Sequence, residues 1–188
     1  LQDVGTVSYE ESQFRQTRYV ANVAGVGFDA HVIRQISHQE KRGFTSRWHY
    51  TLNLLRSYFG YKSTGIKVWV DDRRVFNGLL FSIALGICKY NGGGMQQTPY
   101  AAVDDELMDL TIIRKMSKLR IIRNFRLLYS GNIYSNPKVI HTQCKKIEIE
   151  TWPESRIEID GEAVGTSPFT FELVPHAIRV VVGVNYII

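Results

Sequence analysis

The chain has 188 residues, a formal net charge of +5 and a hydrophobic content of 44%. This length and composition predict one globular domain with a sizeable core and exclude a disordered chain. Because no run of about 18 apolar residues occurs, we predict no transmembrane helix. The positive charge suits an acidic partner, such as nucleic acid, an anionic membrane surface or a phosphorylated ligand.

The two cysteines, Cys88 and Cys144, do not have the spacing of a metal site. This usage predicts a reduced, intracellular protein. The chain shows no signal-peptide pattern, and it opens on Leu1 rather than Met. We therefore expect it to be a piece of a longer protein.

The N-terminal part alternates between apolar and polar residues. Residues 3–24 predict two strands joined by a polar turn over 10–15. The glycines Gly25 and Gly27 then break the strand pattern. From Phe28 the apolar residues recur in four-residue steps, which predicts a first helix.

A second helix is predicted after Gly43, because apolar side chains fall on one helical face as far as Gly60. The members of this stripe are Phe44, Trp48, Leu52, Leu55 and Phe59. The stripe suits a core, but it also suits one wall of a pocket for an apolar ligand such as a lipid. Both interpretations stay open.

Two strands and a turn follow, with alternation over 66–70, a turn at 71–73 and a return strand over 75–88. The segment from Asn91 to Asp109 is then predicted as a long loop before an alternating strand. It contains three consecutive glycines and three aspartates, Asp104, Asp105 and Asp109. Such a loop is either functional or simply flexible and solvated.

A third helix is predicted from Ser117 to the residue before Gly131. Its apolar face contains Ile121, Ile122, Phe125, Leu128 and Tyr129. Six basic residues lie in and just before it without an intervening acid: Arg114, Lys115, Lys118, Arg120, Arg123 and Arg126. We expect the apolar face to pack on the core, while the basic residues are either solvated or bind an anionic membrane or phosphate.

From Lys138 onward the pattern predicts short strands. The turns between them are expected at Trp152-Pro153, Asp160-Gly161, Ser167-Pro168 and Val174-Pro175. The fold class is therefore predicted to be β-rich α+β, an antiparallel β-sandwich with three inserted helices.

Two acidic groups are candidate sites. Asp160-Gly161 is a strong signal for a tight hairpin turn, and Glu162 directly after it could be held rigidly enough to accept a proton from a substrate hydroxyl. The aspartates of the loop could bind a hard divalent cation such as Mg²⁺, although their spacing is not that of an EF-hand.

Three stretches in this order resemble the bacterial diacylglycerol and sphingosine-type lipid kinases. They are Asn22 to Ala30 (N-x-x-G-x-G-F-D-A), Gly92 to Asp109 (G-G-G-M followed by P-x-A-x-x-D-D and L-x-D), and Asp160-Gly161-Glu162 (D-G-E). The resemblance extends over nearly the whole chain. The G-G-D-G nucleotide loop of the family does not occur here. We therefore expect residues 1–188 to be the C-terminal, lipid-side domain, with ATP bound mainly by an N-terminal domain outside this chain.

The resemblance implies phosphoryl transfer from ATP to the hydroxyl of a diacylglycerol-like lipid. It makes Glu162 the proton acceptor and places Asp160, Gly161, Asn91, Gly92, Gly93 and Gly94 near the substrate or its phosphate. It also implies a structural Mg²⁺ held by the Asp105 side chain and the backbone oxygens of Ala102 and Leu107. Glu106 stands where the family usually has Gly, so a positive φ would strain this loop.

The partners that follow are a lipid alcohol, an anionic membrane surface and the nucleotide-binding domain of the same protein. A cytoplasmic protein peripheral at the membrane is expected, inactive without its nucleotide domain, and self-association is expected in isolation. The alternative is a lipid-binding or assembly module without turnover. Nucleic acid is not expected, because the basic helix offers only Phe125 for base stacking.

Overall fold

A computed structural model describes residues 1–40 and 58–181, with the side chains of 35–40 excepted. The strands are β1 Gln2–Glu11, β2 Phe14–Val20, β3 Val23–Gly27, β4 Thr64–Val70, β5 Arg73–Gly86, β6 Tyr90–Asn91, β7 Met95–Gln96, β8 Met108–Arg114, β9 Val139–Cys144, β10 Lys146–Trp152, β11 Arg156–Ile159 and β12 Glu162–Ile178. The helices are α1 Phe28–Glu40, α2 Lys118–Asn124 and α3 Arg126–Tyr129, with short 3₁₀ turns at Gly92–Gly94 and Ile133–Ser135.

Ten of these strands form one antiparallel sheet. Six of them close a ring in the order β10-β4-β5-β3-β11-β12, because β12 also pairs with β10. β1 and β2 extend the sheet from β12, and β8 and β9 extend it from β5. The β-rich α+β class is confirmed, whereas the predicted sandwich is not: six strands of the main sheet close a barrel, and β6 and β7 form a separate two-stranded sheet.

The main core lies inside the ring, where alternate side chains of the strands are fully buried. Its largest members are Ile66, Leu80, Ile83, Met108, Leu110, Ile112, Ile147, Ile149, Ile157, Phe169 and Phe171. Closing the sheet removes the edges at which β10 and β12 would otherwise expose their backbone groups.

α1 follows β3 with no intervening loop. This contradicts the expected strand break at Gly25 and Gly27, since both residues belong to β3. Gly27 has a φ of +93°, and a Cβ there would lie 2.9 Å from the carbonyl oxygen of Phe81. Glycine is therefore required at this point for the chain to turn directly from strand into helix. As a result α1 packs back across β3 and β11.

The predicted third helix is interrupted, because α2 and α3 are separate and meet at Phe125. The predicted second helix falls mostly on residues 44–57, which lie outside the described residues. Phe59 from its stripe is described, and 58% of its surface is exposed rather than buried.

Candidate functional site

An apolar cavity of about 350 Å³ lies between α1, β5 and the α2–α3 segment. Its apolar lining consists of Phe28, Val32, Ile33, Tyr58, Phe81, Met95, Ile113, Met116, Ile121, Ile122, Phe125, Leu128 and Ile133. Several of these side chains also form a small cluster of their own outside the barrel core. The apolar face of the basic segment therefore lines a cavity and also packs in part on this cluster, through Ile121. Of the pocket residues expected from the second helix, Phe59 does not line this cavity, and Phe44, Trp48 and Leu52 lie outside the described residues.

One part of the cavity wall is polar. The lining there is made by Asp29, Ser82, Asn91, Gly92, Gln97, Glu158 and Gly161. The glycine loop and the D-G-E turn, which are far apart in the sequence, therefore meet at the same cavity. Apolar walls with a few converging polar groups are typical of a ligand site.

Asp29 is the centre of a hydrogen-bond chain in this polar wall. Its carboxylate accepts from the Ser82 hydroxyl and, at 2.9 Å, from Nε2 of Gln97. Oε1 of Gln97 in turn accepts from Nδ2 of Asn91 at 2.8 Å. Burial raises the pKa of Asp29, and the two side-chain hydrogen bonds oppose that rise. The chain fixes the side chain of Asn91, which begins the glycine loop.

The glycine loop forms a short hairpin, β6–β7, closed by a 3₁₀ turn at Gly92–Gly94. Oδ1 of Asn91 accepts from the amide of Gly92 at 2.7 Å. Gly93 and Gly94 have φ values of +73° and +82°, and a Cβ at any of the three glycines would meet no atom within 4 Å. The backbone of this turn is therefore open to close approach by another molecule.

The D-G-E turn has the left-handed geometry that its sequence predicts. Asp160 and Gly161 have φ values of +47° and +91°. The Asp160 carboxylate does not face the cavity; it accepts from the amides of Ala21, Asn22 and Val23 at 2.8, 3.0 and 3.1 Å. Asp160 thus ties the β11–β12 turn to the β2–β3 connection.

Glu162 begins β12, and its side chain is 67% exposed. Its carboxylate accepts from the Arg18 guanidinium of β2 at 2.8 Å. These two side chains, with Tyr19, Ile159 and Asp160, line a shallow surface depression next to the turn. Glu162 is therefore held at the surface, one residue beyond the cavity wall at Gly161.

Glu158 is a second acidic residue at the cavity, and sequence reasoning missed it. The residue is only 2% exposed. Oε1 accepts from the amide of Gly161 at 2.6 Å, whereas Oε2 has no hydrogen-bond partner among the described residues. Burial raises the pKa of Glu158 to about 8, and the charges of Asp29 and Asp160 contribute to the rise. A buried acid with a perturbed pKa in a cleft is a candidate functional group.

The acidic loop before β8 lies at a different place. Asp3 of β1 is completely buried, and its carboxylate accepts from the amides of Glu106 and His176, both at 2.7 Å. Glu106 has a φ of +59°, so it does take the strained conformation expected of the family glycine. The Glu106 carboxylate lies 3.4 Å from Nε2 of His176 and 3.6 Å from Nζ of Lys145.

Asp105 is the side chain expected to hold a metal ion in this loop. Its carboxylate accepts from the amide of Leu107 at 3.1 Å and from Nε2 of Gln143 at 3.4 Å. Partial burial raises its pKa, and the negative charges of Asp109 and Asp3 add to the effect. A cation would relieve this repulsion, and one carboxylate with backbone oxygens and water fits what Mg²⁺ accepts. Within residues 1–40 and 58–181, no three acidic, histidine or cysteine side chains are grouped as a metal cluster.

The basic residues of the 114–126 segment are all exposed. Apolar side chains are exposed among them: Leu119 at 75% and Ile122 at 48%. Ile122 also lines the cavity. This surface, which we call the basic face, therefore adjoins the cavity. No helix in the described part of the chain is long and apolar enough to cross a membrane.

Comparison with known proteins gives consistent relationships. The profile of the family described as "YegS C-terminal NAD kinase beta sandwich-like domain" matches residues 22–182. A "Probable lipid kinase YegS-like" from Shewanella frigidimarina is 29% identical over 89% of this chain and 53% of its own length. A diacylglycerol kinase from Staphylococcus haemolyticus is 30% identical over 53% of this chain and 30% of its own length.

The fold is also similar to a crystal structure of a diacylglycerol kinase from Bacillus anthracis, with a TM-score of 0.60 at 16% identity. That match covers 93% of this chain and 50% of the other. The chain thus spans about half the length, or less, of the relatives described here. Because the family profile covers most of the residues, the chain belongs to the family of YegS C-terminal, NAD kinase β-sandwich-like domains.

Proposed function

We propose that this chain is the lipid-binding part of an ATP-dependent kinase that phosphorylates the hydroxyl of a diacylglycerol-like lipid. The observation that carries the proposal is the cavity: its walls are apolar, and in its polar part the glycine loop and the D-G-E turn meet the side chains of Asp29, Ser82 and Glu158. The kinase names of the relatives support the reaction class. The acyl chains would occupy the apolar part, with the hydroxyl near Gly161.

Glu162 is the group we assign as proton acceptor. As the lipid oxygen bonds to the γ-phosphorus of ATP, the bond from that phosphorus to the ADP oxygen breaks, and the hydroxyl proton passes to the Glu162 carboxylate. The Arg18 guanidinium, 2.8 Å away, orients that carboxylate. The open backbone of Gly92–Gly94 is available to a phosphate group in the same region. Positioning and charge stabilisation supply most of the rate in such transfers.

The test is lipid phosphorylation by the complete protein that carries this chain, with dioleoylglycerol and labelled ATP. Glu162→Gln should lower kcat by about 10²–10⁴-fold with little change in the KM for lipid, because the variant loses the base but not the cavity. Glu172→Gln, the same change at an exposed site on the same strand, is the control and should retain full activity. Full activity in Glu162→Gln would overturn the assignment. Lipid binding without turnover in the wild-type protein would favour a non-catalytic lipid-binding module.

We further propose that the basic face binds an anionic membrane and so places the cavity at the lipid surface. Charge complementarity supports this, because six basic side chains surround exposed Leu119 and Ile122. Arg120→Glu with Arg123→Glu should weaken binding to vesicles containing phosphatidylserine by roughly tenfold or more, at about 1 kcal/mol per basic residue. Arg73→Glu with Arg74→Glu, at the exposed start of β5, should leave binding nearly unchanged. Equal losses in both variants would contradict a localised membrane surface.

A structural Mg²⁺ at Asp105 is part of the same proposal, with backbone oxygens of Ala102 and Leu107 as further ligands. Such an ion would neutralise the acidic loop and stabilise its fold. Mg²⁺ should therefore raise the thermal midpoint of the wild-type protein, and Asp105→Asn should abolish that rise. Asp104→Asn is the neighbouring control. An equal response to Mg²⁺ in the Asp105 variant would exclude this site. Docking of a nucleotide-binding domain and self-association stay predictions.

A further inference from the structure

Two buried side-chain atoms of the cavity lining have no hydrogen-bond partner among the described residues: Nδ2 of Asn136, which is a donor, and Oε2 of the Glu158 carboxyl. Both oxygens of Asp29 already accept hydrogen bonds, from Ser82 and Gln97. Oε1 of Glu158 accepts from Gly161, whereas Oε2 of Glu158 is buried without a partner among the described residues. A buried acceptor without a partner costs free energy that a ligand donor can recover.

The position of this acceptor follows from the backbone around it. Gly25 of β3 lies between α1 and β11, and a Cβ on it would be 2.7 Å from Cβ of Asp29 and 3.1 Å from Oε2 of Glu158. The glycine thus allows two acidic side chains to approach one another beside the cavity. Glu162, in contrast, does not line the cavity. Of these two glutamates, the one that a lipid bound in the cavity can contact is therefore Glu158.

We propose that Glu158 contacts the polar head of the bound lipid and selects an uncharged, hydroxyl-bearing head over its phosphorylated form. The proposal rests on the proposed lipid-kinase function and names a specificity-determining residue for it. Below about pH 8 the protonated carboxyl donates from Oε2 to the lipid hydroxyl oxygen, which leaves the hydroxyl proton for Glu162. Above that pH the hydroxyl donates to the ionised Oε2. Once Glu158 is ionised, a phosphate brings a further negative charge against it, so the product of phosphorylation is disfavoured in the cavity that holds the substrate.

The charge of Glu158 makes this selectivity pH-dependent. Its carboxyl, with a pKa of about 8, is mostly protonated below that pH and ionised above it. The other acids facing it are Asp29 from α1 and Asp160 from the adjoining turn. Selectivity against phosphate should therefore increase as the pH rises through about 8, because the negative charge of Glu158 appears in this range.

The experiment compares binding of dioleoylglycerol and dioleoyl phosphatidate, in neutral detergent micelles, to the complete protein. We expect the wild type to prefer the alcohol by about tenfold or more one pH unit above 8, and by less one unit below it. In Glu158→Gln the preference should fall to about threefold or less and lose its pH dependence. Glu154→Gln, at an exposed position before β11, should behave as wild type.

Each outcome decides the proposal. A preference in the wild type that does not vary with pH, or an unchanged preference in Glu158→Gln, would overturn it. If Glu158→Gln does not fold, Glu158→Met, which is also uncharged and similar in length, makes the same test: its preference should be as low and as independent of pH. These binding measurements do not depend on turnover. If the protein prefers the alcohol over phosphatidate but has no kinase activity, the proposed function is wrong and the role of Glu158 in binding still holds.

Discussion

The amide of Gly161 donates a hydrogen bond to Oε1 of Glu158 at 2.6 Å. This bond joins the tight turn of the D-G-E motif to an acid in the wall of the cavity. It also positions one oxygen of Glu158, while the other has no partner in the described part of the chain. The motif therefore has an anchor inside the cavity, while its glutamate, Glu162, lies at the surface.

Burial of Glu158 predicts a specific dependence of stability on pH. Its pKa is about 8 in the folded protein, against about 4.5 for an exposed glutamate. Between these values the unfolded chain loses the proton while the folded chain keeps it, so the free energy of unfolding falls as the pH rises. The loss is complete above about pH 8 and is on the order of 5 kcal/mol at most.

Glu158→Gln removes this contribution, so the variant should lose less stability between pH 5 and 9 than the wild type. Urea unfolding across that range measures the difference. Asp29 has a raised pKa in both proteins, and subtracting the curves cancels most of its effect. If the free energy of unfolding changes with pH to the same extent in wild type and variant, the pKa of Glu158 is not raised in the folded protein.

The burial of Glu158 could not be predicted from the local sequence. The sequence from Ile157 to Ile159 alternates as in a strand with one solvent-exposed face, which predicts that Glu158 is exposed. Its face is instead covered, because α1 starts directly after β3 and packs across β11. The signal that could have found it is Gly27 before Phe28, since a helix that follows a strand without a loop must lie on the sheet.

Gly25→Ala tests the close packing at this place. The added methyl would lie 2.7 Å from Cβ of Asp29, an atom fixed to the helix, so α1 must move. We expect the free energy of unfolding to fall by roughly 1–3 kcal/mol. Gly60→Ala, where a Cβ has no neighbour within 4 Å, is the control and should change it little. Equal stability of the two variants would mean that α1 does not pack on β3 as described.

The C-terminal strands were predicted only in part. Alternation placed β10 and β11 correctly, and Asp160-Gly161 is the turn it was expected to be. Turns at Pro168 and Pro175 are wrong, because both prolines lie inside β12. Each falls where the pairing of β12 with β1 shifts register. A proline cannot donate to a ladder but is tolerated at such a bulge, which the local sequence does not reveal.

Asp160→Ala should destabilise the protein, because the Asp160 side chain is a hydrogen-bond acceptor for three backbone amides. The substitution leaves the amides of Ala21, Asn22 and Val23 without their acceptor. A loss of about 2–3 kcal/mol is expected, and Asp160→Asn should retain part of it because one acceptor oxygen remains. Thermal and urea unfolding measure both. If Asp160→Ala is as stable as wild type, the turn does not tie β11–β12 to the β2–β3 connection.

Asp3→Ala should loosen the acidic loop. Asp3 accepts from the amides of Glu106 and His176, two residues held at positive φ. Without this buried acceptor both conformations lose their support, and we expect a loss of about 2–4 kcal/mol with faster hydrogen exchange at those two amides. Asp72→Ala, in an exposed turn, is the comparison. Unchanged exchange at Glu106 and His176 would contradict the assigned hydrogen bonds.

The central claim is that the cavity between α1 and α2–α3 holds the lipid, and photolabelling tests it most directly. The complete protein is irradiated with a diacylglycerol carrying a diazirine in its acyl chain, and the labelled peptides are mapped. The account predicts label on cavity residues such as Val32, Phe125 and Leu128, which unlabelled diacylglycerol should compete away. Label confined to exposed Phe14 and Tyr19 on β2, with none in the cavity, would contradict it.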